Sequence, residues 1–342
     1  MKIRSPKFSR RFRRIGSAVR RGADRLKREA FRRTALLKEA AFRKTVLLKE
    51  ASFRQNAWHA VFFLSLCAFA VCCGILFHRL YTLPKQSDEG LAKARSLYRG
   101  ASSSVPQSSS SASFSSAPEE KKLSFSELQA ANRDVKGWIT IPGTAIDDPV
   151  LCPPKDRPDY YLTHDWEGNE TKYGSIFLYS GSTSQKNIIL YGHSMKDGRM
   201  FAPLLDYQEP RFYDLHPVIQ FRLGNDTAAW KIFAVIKVNT DPSQGEPFDY
   251  QKTKFASPKD FSDFLGRVRI RSVLNIPVDL KTSDTLLTLS TCSYEFDGFR
   301  TVIFARRLRR GENASVDTPK VSENAGALYP DCWYAKFGGK RP

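Results

Sequence analysis

Acidic residues are scarce at the start of this 342-residue chain. Residues 1–56 hold 4 Asp and Glu against 19 Lys and Arg, which makes that arm strongly cationic. The other 286 residues hold 35 basic and 31 acidic side chains and are close to balanced. The pI of 9.7 therefore belongs to one end of the molecule, and nucleic-acid binding by the whole protein does not follow from it. Charged residues then vanish between Ala57 and Phe77, where His59 is the only titratable group apart from thiols. That run makes roughly 31 Å of helix, enough to cross the hydrocarbon core of a bilayer. The Lys and Arg before it hold the N-terminus in the cytoplasm and send the bulk of the chain outside. A single-pass signal anchor fits better than a cleaved signal peptide. Ala68-Phe69-Ala70 resembles a cleavage site, but the charged segment before it is too long and apolar residues continue past it.

Cysteine is also sparse. Cys67, Cys72 and Cys73 fall in the apolar run, which leaves Cys152, Cys292 and Cys332 beyond it. An odd number outside the reducing cytosol means at least one unpaired thiol. Two arrangements stay open: a Cys152–Cys332 disulfide that leaves Cys292 free, or three free thiols. No glycine-rich loop able to cradle phosphate is present, and Cys152, His164 and His216 lack metal-ligand spacing. Neither metal nor cofactor is expected.

What is present divides the chain into five parts. In the basic arm, 1–56, Phe31, Phe42 and Phe53 recur every 11 residues, a helical period of about 3.67 per turn. This reads as a basic helix against the anionic inner leaflet, with self-association or a solvated helix as alternatives. After the anchor at 57–77, residues 78–122 read as a flexible stalk, in which the composition turns from Gln86 onward to Ser, Ala, Pro and charge. The folded part spans 123–310. Beyond it the tail, 311–342, shows no periodicity and receives no role.

Within 123–310, Ser124 and Glu127 form a capping-box start for a short helix ending near Asn132. Eight strand-like runs follow: Gly137–Ile141, Pro149–Leu151, Ser175–Tyr179, Ile188–Tyr191, Val218–Leu223, Ala229–Val238, Leu286–Thr291 and Thr301–Arg307. Many short strands with few helices predict a mainly β fold, a barrel or a sandwich. One helix interrupts them between the sixth and seventh runs. It opens at Ser257-Pro258 and places Phe261, Phe264, Leu265 and Val268 at helical spacing.

Chemistry concentrates at strand ends. Cys292 ends the seventh run, and Arg300 opens the eighth after an Asp297-Gly298 connection. A thiol with a guanidinium on the neighbouring strand suits a thiolate nucleophile with a fixed cation beside it, although a cysteine in a sheet is more often a small hydrophobe. His193 ends Asn187-Ile-Ile-Leu-Tyr-Gly-His. If it meets Cys292, imidazole and thiol exchange a proton near neutral pH. Ser290, Thr291 and Tyr294 surround the cysteine as candidate substrate contacts, with backbone-bonded hydroxyls and loop packing as the competing readings.

Tyr191-Gly-His-Ser-Met-Lys-Asp-Gly-Arg-Met-Phe, Thr288-Leu-Ser-Thr-Cys-Ser-Tyr-Glu-Phe with Arg300, and the opening Asn132-Arg-Asp-Val-Lys-Gly-Trp together resemble the class B sortases over about Leu123–Arg309. The resemblance implies an eight-stranded sortase-type β-barrel with an N-terminal helix and a helix between strands six and seven. It also implies a membrane-anchored cysteine transpeptidase of Gram-positive cell surfaces, with Cys292 as nucleophile, His193 as general acid and base, and Arg300 holding substrate or oxyanion. Its partners would be secreted proteins bearing a C-terminal sorting signal, cut after threonine, and an amine of a lipid-linked peptidoglycan precursor or a pilin lysine. A hydrolytic cysteine protease and a catalytically silent surface scaffold are the alternatives.

Overall fold

The computed structural model describes residues 51–99, 125–179 and 185–342, and the chain divides into two compact units, Met1–Lys85 and Gln86–Pro342. The 11-residue repeat falls almost wholly before residue 51 and lies outside the described residues. In the first unit, α1 (Ala51–Phe77) carries the apolar run, and a π-helical turn, His78–Thr82, continues it. Among the described residues this helical stretch is the one long and apolar enough to cross a membrane.

Composition misassigned the start of the stalk. Leu83–Arg99 is a helix, α2, and from Gln86 onward it belongs to the second unit. Its polar majority hides a narrow face in which Ala94 and Tyr98, one turn apart, are buried. Tyr98 stacks on Trp138 with ring centroids 4.2 Å apart, and the Gly90 carbonyl accepts from Trp166 Nε1 at 2.9 Å. Two aromatic rings thus supply the apolar partner that a Ser-rich composition conceals. Residues 100–122 of the expected stalk lie outside the described residues.

After α3 (Phe125–Ala131) come β1 (Val135–Thr140), β2 (Asp147–Leu151), β3 (Ile176–Leu178), β4 (Asn187–Tyr191), α4 (Pro210–Leu215), β5 (Val218–Leu223) and β6 (Asp226–Val238). Then follow α5 (Pro258–Arg269), β7 (Leu274–Asn275), β8 (Leu286–Cys292), β9 (Arg300–Arg307), β10 (Ser322–Glu323) and α6 (Asp331–Phe337). Eight strands close a barrel in the order β1-β2-β3-β4-β8-β9-β6-β5. The eight predicted runs are these eight strands, and closure decides between barrel and sandwich. Pairing is antiparallel except at β2–β3 and β4–β8. A parallel pair needs a long crossover, and here residues 192–285 supply it, α5 included. The Ser257 hydroxyl caps α5 by accepting from the Asp260 N–H at 3.1 Å, and Phe261, Phe264, Leu265 and Val268 are all buried.

The tail is structured too. β10 pairs with β7, and α6 lies on the second unit, so residues 311–342 belong with the barrel. None of the six cysteines is in a disulfide, so the Cys152–Cys332 pairing does not form.

Asp148 on β2 is 3% exposed, with Arg95 Nη2 of α2 at 3.8 Å and the Asp147 N–H donating to it at 3.0 Å. Burial outweighs both and pushes its carboxyl from 3.8 up to about 7. A carboxyl raised on folding contributes stability that is present below about pH 4 and lost as pH rises to about 7. Asp148→Asn flattens the fall of Tm across that window. At pH 8 it stabilises the fold by about 2–4 kcal/mol. Thermal melts of variant and wild type between pH 4 and pH 8 check this, and equal slopes count against it.

Candidate active site

Three neighbouring strands, β4, β8 and β9, build the site. Cys292 ends the middle one and is partly exposed. On one side the antiparallel register sets it opposite Arg300, whose Nη1 donates to Sγ at 3.3 Å. On the other side β4 runs parallel to β8, with Tyr191 opposite Ser290. Parallel strands end at the same edge, so two residues further on, His193 leaves β4 beside Cys292. The parallel pairing thereby brings together residues that are 99 apart in sequence.

The His193 ring is oriented. Its Nε2 lies 2.7 Å from the Leu162 carbonyl, and because a carbonyl only accepts, the proton sits on Nε2. Nδ1 is left without a proton. Burial, with the Arg300 charge adding to it, holds the imidazole below its ordinary range, so its protonated form is a minority at pH 7. Gly192 before it admits no side chain, since a Cβ there would meet the Phe201 ring at 2.8 Å. The Phe201 N–H donates to the His193 carbonyl at 2.8 Å and closes the loop behind the histidine.

Ser290 and Thr291 do not face solvent. Both are fully buried. The Thr291 hydroxyl donates to the Gly192 carbonyl at 2.8 Å and ties the ends of β8 and β4 together. Ser290 shares a hydrogen bond with the Tyr250 hydroxyl at 3.1 Å. Both hydroxyls are thus engaged with the strands and the segment around Cys292 and His193. Tyr294 is 62% exposed and directs its hydroxyl to the Ser194 carbonyl, bridging the loop after Cys292 to the loop after His193.

Sequence reasoning missed two residues. Tyr250, from the irregular segment between β6 and α5, reaches under the site to Ser290 and Tyr191. Buried Asn187 holds that segment, donating to the Tyr250 and Lys252 carbonyls at 3.3 and 3.1 Å while accepting from Thr288 Oγ1 at 2.6 Å. A polar residue in the apolar run Asn187-Ile-Ile-Leu was the one available signal for Asn187, because a buried amide needs partners. Nothing local marked Tyr250. Among the described residues, no group of three or more His, Cys, Asp or Glu side chains could hold a metal ion.

The sequence pattern of the sortase domain matches residues 139–308. Sortase B of Listeria monocytogenes is 40% identical over 174 residues, which cover 50% of this chain and 68% of that protein. The chain belongs to the sortase family, class B. Sortase B of Staphylococcus aureus is 32% identical over 196 residues, 56% of this chain and 77% of that protein. A crystal structure of sortase B from B. anthracis shares 26% identity, covers 68% of this chain and 100% of its own, and superposes with a TM-score of 0.54. This sortase is accordingly a cysteine transpeptidase on an eight-stranded barrel, acting on sorting-signal proteins and amine acceptors.

Proposed function

We propose that Cys292, His193 and Arg300 carry the reaction, in which a secreted protein is cut after the threonine of its C-terminal sorting signal and passed to an amine. The contact that carries this reading is Arg300 Nη1 on Cys292 Sγ at 3.3 Å, with His193 at the adjoining strand end. The Cys292 thiolate attacks the threonine carbonyl carbon, and the guanidinium offers N–H donors to the thiolate and to the oxyanion that forms. The C–N bond to the next residue breaks, and the imidazolium form of His193, the minority that pairs with the thiolate, gives its Nδ1 proton to the departing nitrogen. A thioester remains. The incoming amine attacks it, His193 removes the amine's proton, and Cys292 leaves as thiolate with a new amide formed.

The acceptor is an amine of a lipid-linked peptidoglycan precursor or a pilin lysine, and exposed Tyr294 contacts the substrate. Apolar α1 spans the membrane once, the basic arm lies on the inner leaflet, and the barrel faces outward. Detergent-solubilised full-length protein, given a threonine-containing sorting peptide and an excess of a primary amine, yields the amide-linked adduct at that threonine by mass spectrometry. The free acid as sole product in the presence of the amine identifies a hydrolytic protease instead.

A further inference from the structure

The connection from Cys292 to Arg300 holds the nucleophile at one end and the cation at the other. Its own hydrogen bonds are few: the Ser293 N–H donates to the Phe299 carbonyl at 2.9 Å and the Phe299 N–H to the Phe296 carbonyl at 3.3 Å. Gly298, at φ +74°, makes the turn. Such a loop stays in one place only if other parts of the molecule hold it.

The barrel side supplies some of that hold. Lys237, 3% exposed on β6, pairs with Glu295 at 2.6 Å and donates to Thr301 Oγ1 at 2.9 Å. Burial pulls the Glu295 carboxyl up, but the Lys237 ammonium overcomes it and holds the group below its usual range, charged. Thr240 Oγ1 donates to the Gly298 carbonyl at 2.8 Å and Gln244 Nε2 to the Asp297 carbonyl at 2.9 Å.

The outer side is covered by the tail. After β9 the chain returns along the segment that follows α5. β10 pairs with β7, the Asn324 N–H donates to the Val273 carbonyl and the Leu328 N–H to the Ile270 carbonyl, both at 2.8 Å. This path delivers α6 onto the loop. Trp333 stacks on Tyr329 at 4.3 Å and lies nearly parallel to Phe299 at 6.3 Å. Phe337 meets Phe296 edge-on at 5.9 Å. Lys336 Nζ donates to the Glu295 carbonyl at 2.7 Å and sits 4.7 Å from the Phe296 ring centre. Phe299, immediately before Arg300, is 1% exposed with Trp333 against it.

We propose that the C-terminal segment is a clamp for the catalytic loop, and that Trp333 and Lys336 are positioning residues for the transpeptidation. They reach no reacting atom. They fix the loop that joins the two strand ends, so that the Cys292 and Arg300 side chains, whose backbones the β8–β9 register already pairs, keep their orientation, and Tyr294 with them. The clamp is assembled from both faces, Lys237–Glu295 within and α6 without, and it rests on the assignment of Cys292 and Arg300 to the chemistry.

The test uses full-length protein in four forms: Trp333→Ala, Trp333→Phe, Lys336→Met and Lys336→Arg. A displacement of about 1 Å at a reacting group can cost on the order of 100-fold, so partial loosening lowers kcat/KM about tenfold in Trp333→Ala and Lys336→Met. Trp333→Phe keeps an aromatic face and Lys336→Arg keeps a donor and a cation, so both recover most of that loss. Amide exchange over residues 293–299 rises in the two deficient variants, while barrel amides in β4, β8 and β9 stay protected. Wild-type kcat/KM in Trp333→Ala and Lys336→Met overturns the clamp, as does an equal loss in the conservative variants. A Cys292→Ala control separates this from the parent reading. If that variant turns over, the assignment of the site has failed; if it is dead while the α6 variants are normal, only the clamp has failed.

Discussion

Cys292→Ala abolishes both cleavage and transfer of a sorting peptide, lowering turnover by at least about 10⁴-fold, the size of effect expected when a covalent nucleophile is removed. This corresponds to about 5.5 kcal/mol of lost transition-state stabilisation. Stability changes little. Cys292 is partly exposed at the end of β8, and truncating it to alanine opens no core cavity. An unchanged Tm with no thioester trapped in mass spectra of the variant therefore isolates chemistry from folding. The loss belongs to kcat, since the thiol bonds to substrate only along the reaction path. Turnover retained by this variant removes Cys292 from the mechanism, and with it the pairing to Arg300.

Arg300→Ala has the second-largest effect, about 10²–10³-fold in kcat, the range found when a donor to a developing oxyanion is lost. Arg300 opens β9, stands in register with both Cys292 and Val238, and already directs Nη1 at the sulfur. Lysine does not replace it. A shorter reach and a single ammonium cannot serve sulfur and oxyanion together, so Arg300→Lys stays within about tenfold of the alanine variant. The same substitution has an independent readout. After burial, the Arg300 charge is the influence that depresses the His193 imidazole. Removing that charge makes the protonated imidazole cheaper, and the His193 ring signals in NMR titrate at higher pH in Arg300→Ala. A guanidinium acting only as strand surface would leave kcat unmoved.

Much of this site was legible before any coordinates. The chemistry-bearing side chains sit beside turn residues at strand ends: His193 after Gly192, Cys292 before Ser293, Arg300 after Asp297-Gly298. The helix over Pro258–Arg269 could be read because Ser257, Pro258 and four apolar positions obey rules that act within a few residues. Burial behaved differently. For Ser290 and Thr291, substrate contact and a bonded hydroxyl read alike in the sequence, and each is bonded to a partner far along the chain, Tyr250 and Gly192. The helix Leu83–Arg99 was lost to composition because its buried face is narrow and its aromatic partners, Trp138 and Trp166, lie on distant segments. The tail failed for the same reason. α6 spans two turns, too short for a period, and what fixes it is Phe296 and Phe299 across the surface.

The sequence alone singled out Cys292, His193 and Arg300 as the candidates for the chemistry, and it determined the eight strands that carry them and the apolar span ahead of them. Local patterns and functional-group chemistry suffice for those. Only the tertiary structure decided that the strands close into a barrel, that β4 and β8 run parallel so His193 and Cys292 share an edge, that Tyr250 reaches Ser290, and that Lys237 and α6 touch the loop between Cys292 and Arg300. Those contacts join residues far apart in the chain. Register and packing fix them, and neither leaves a periodic mark on the sequence.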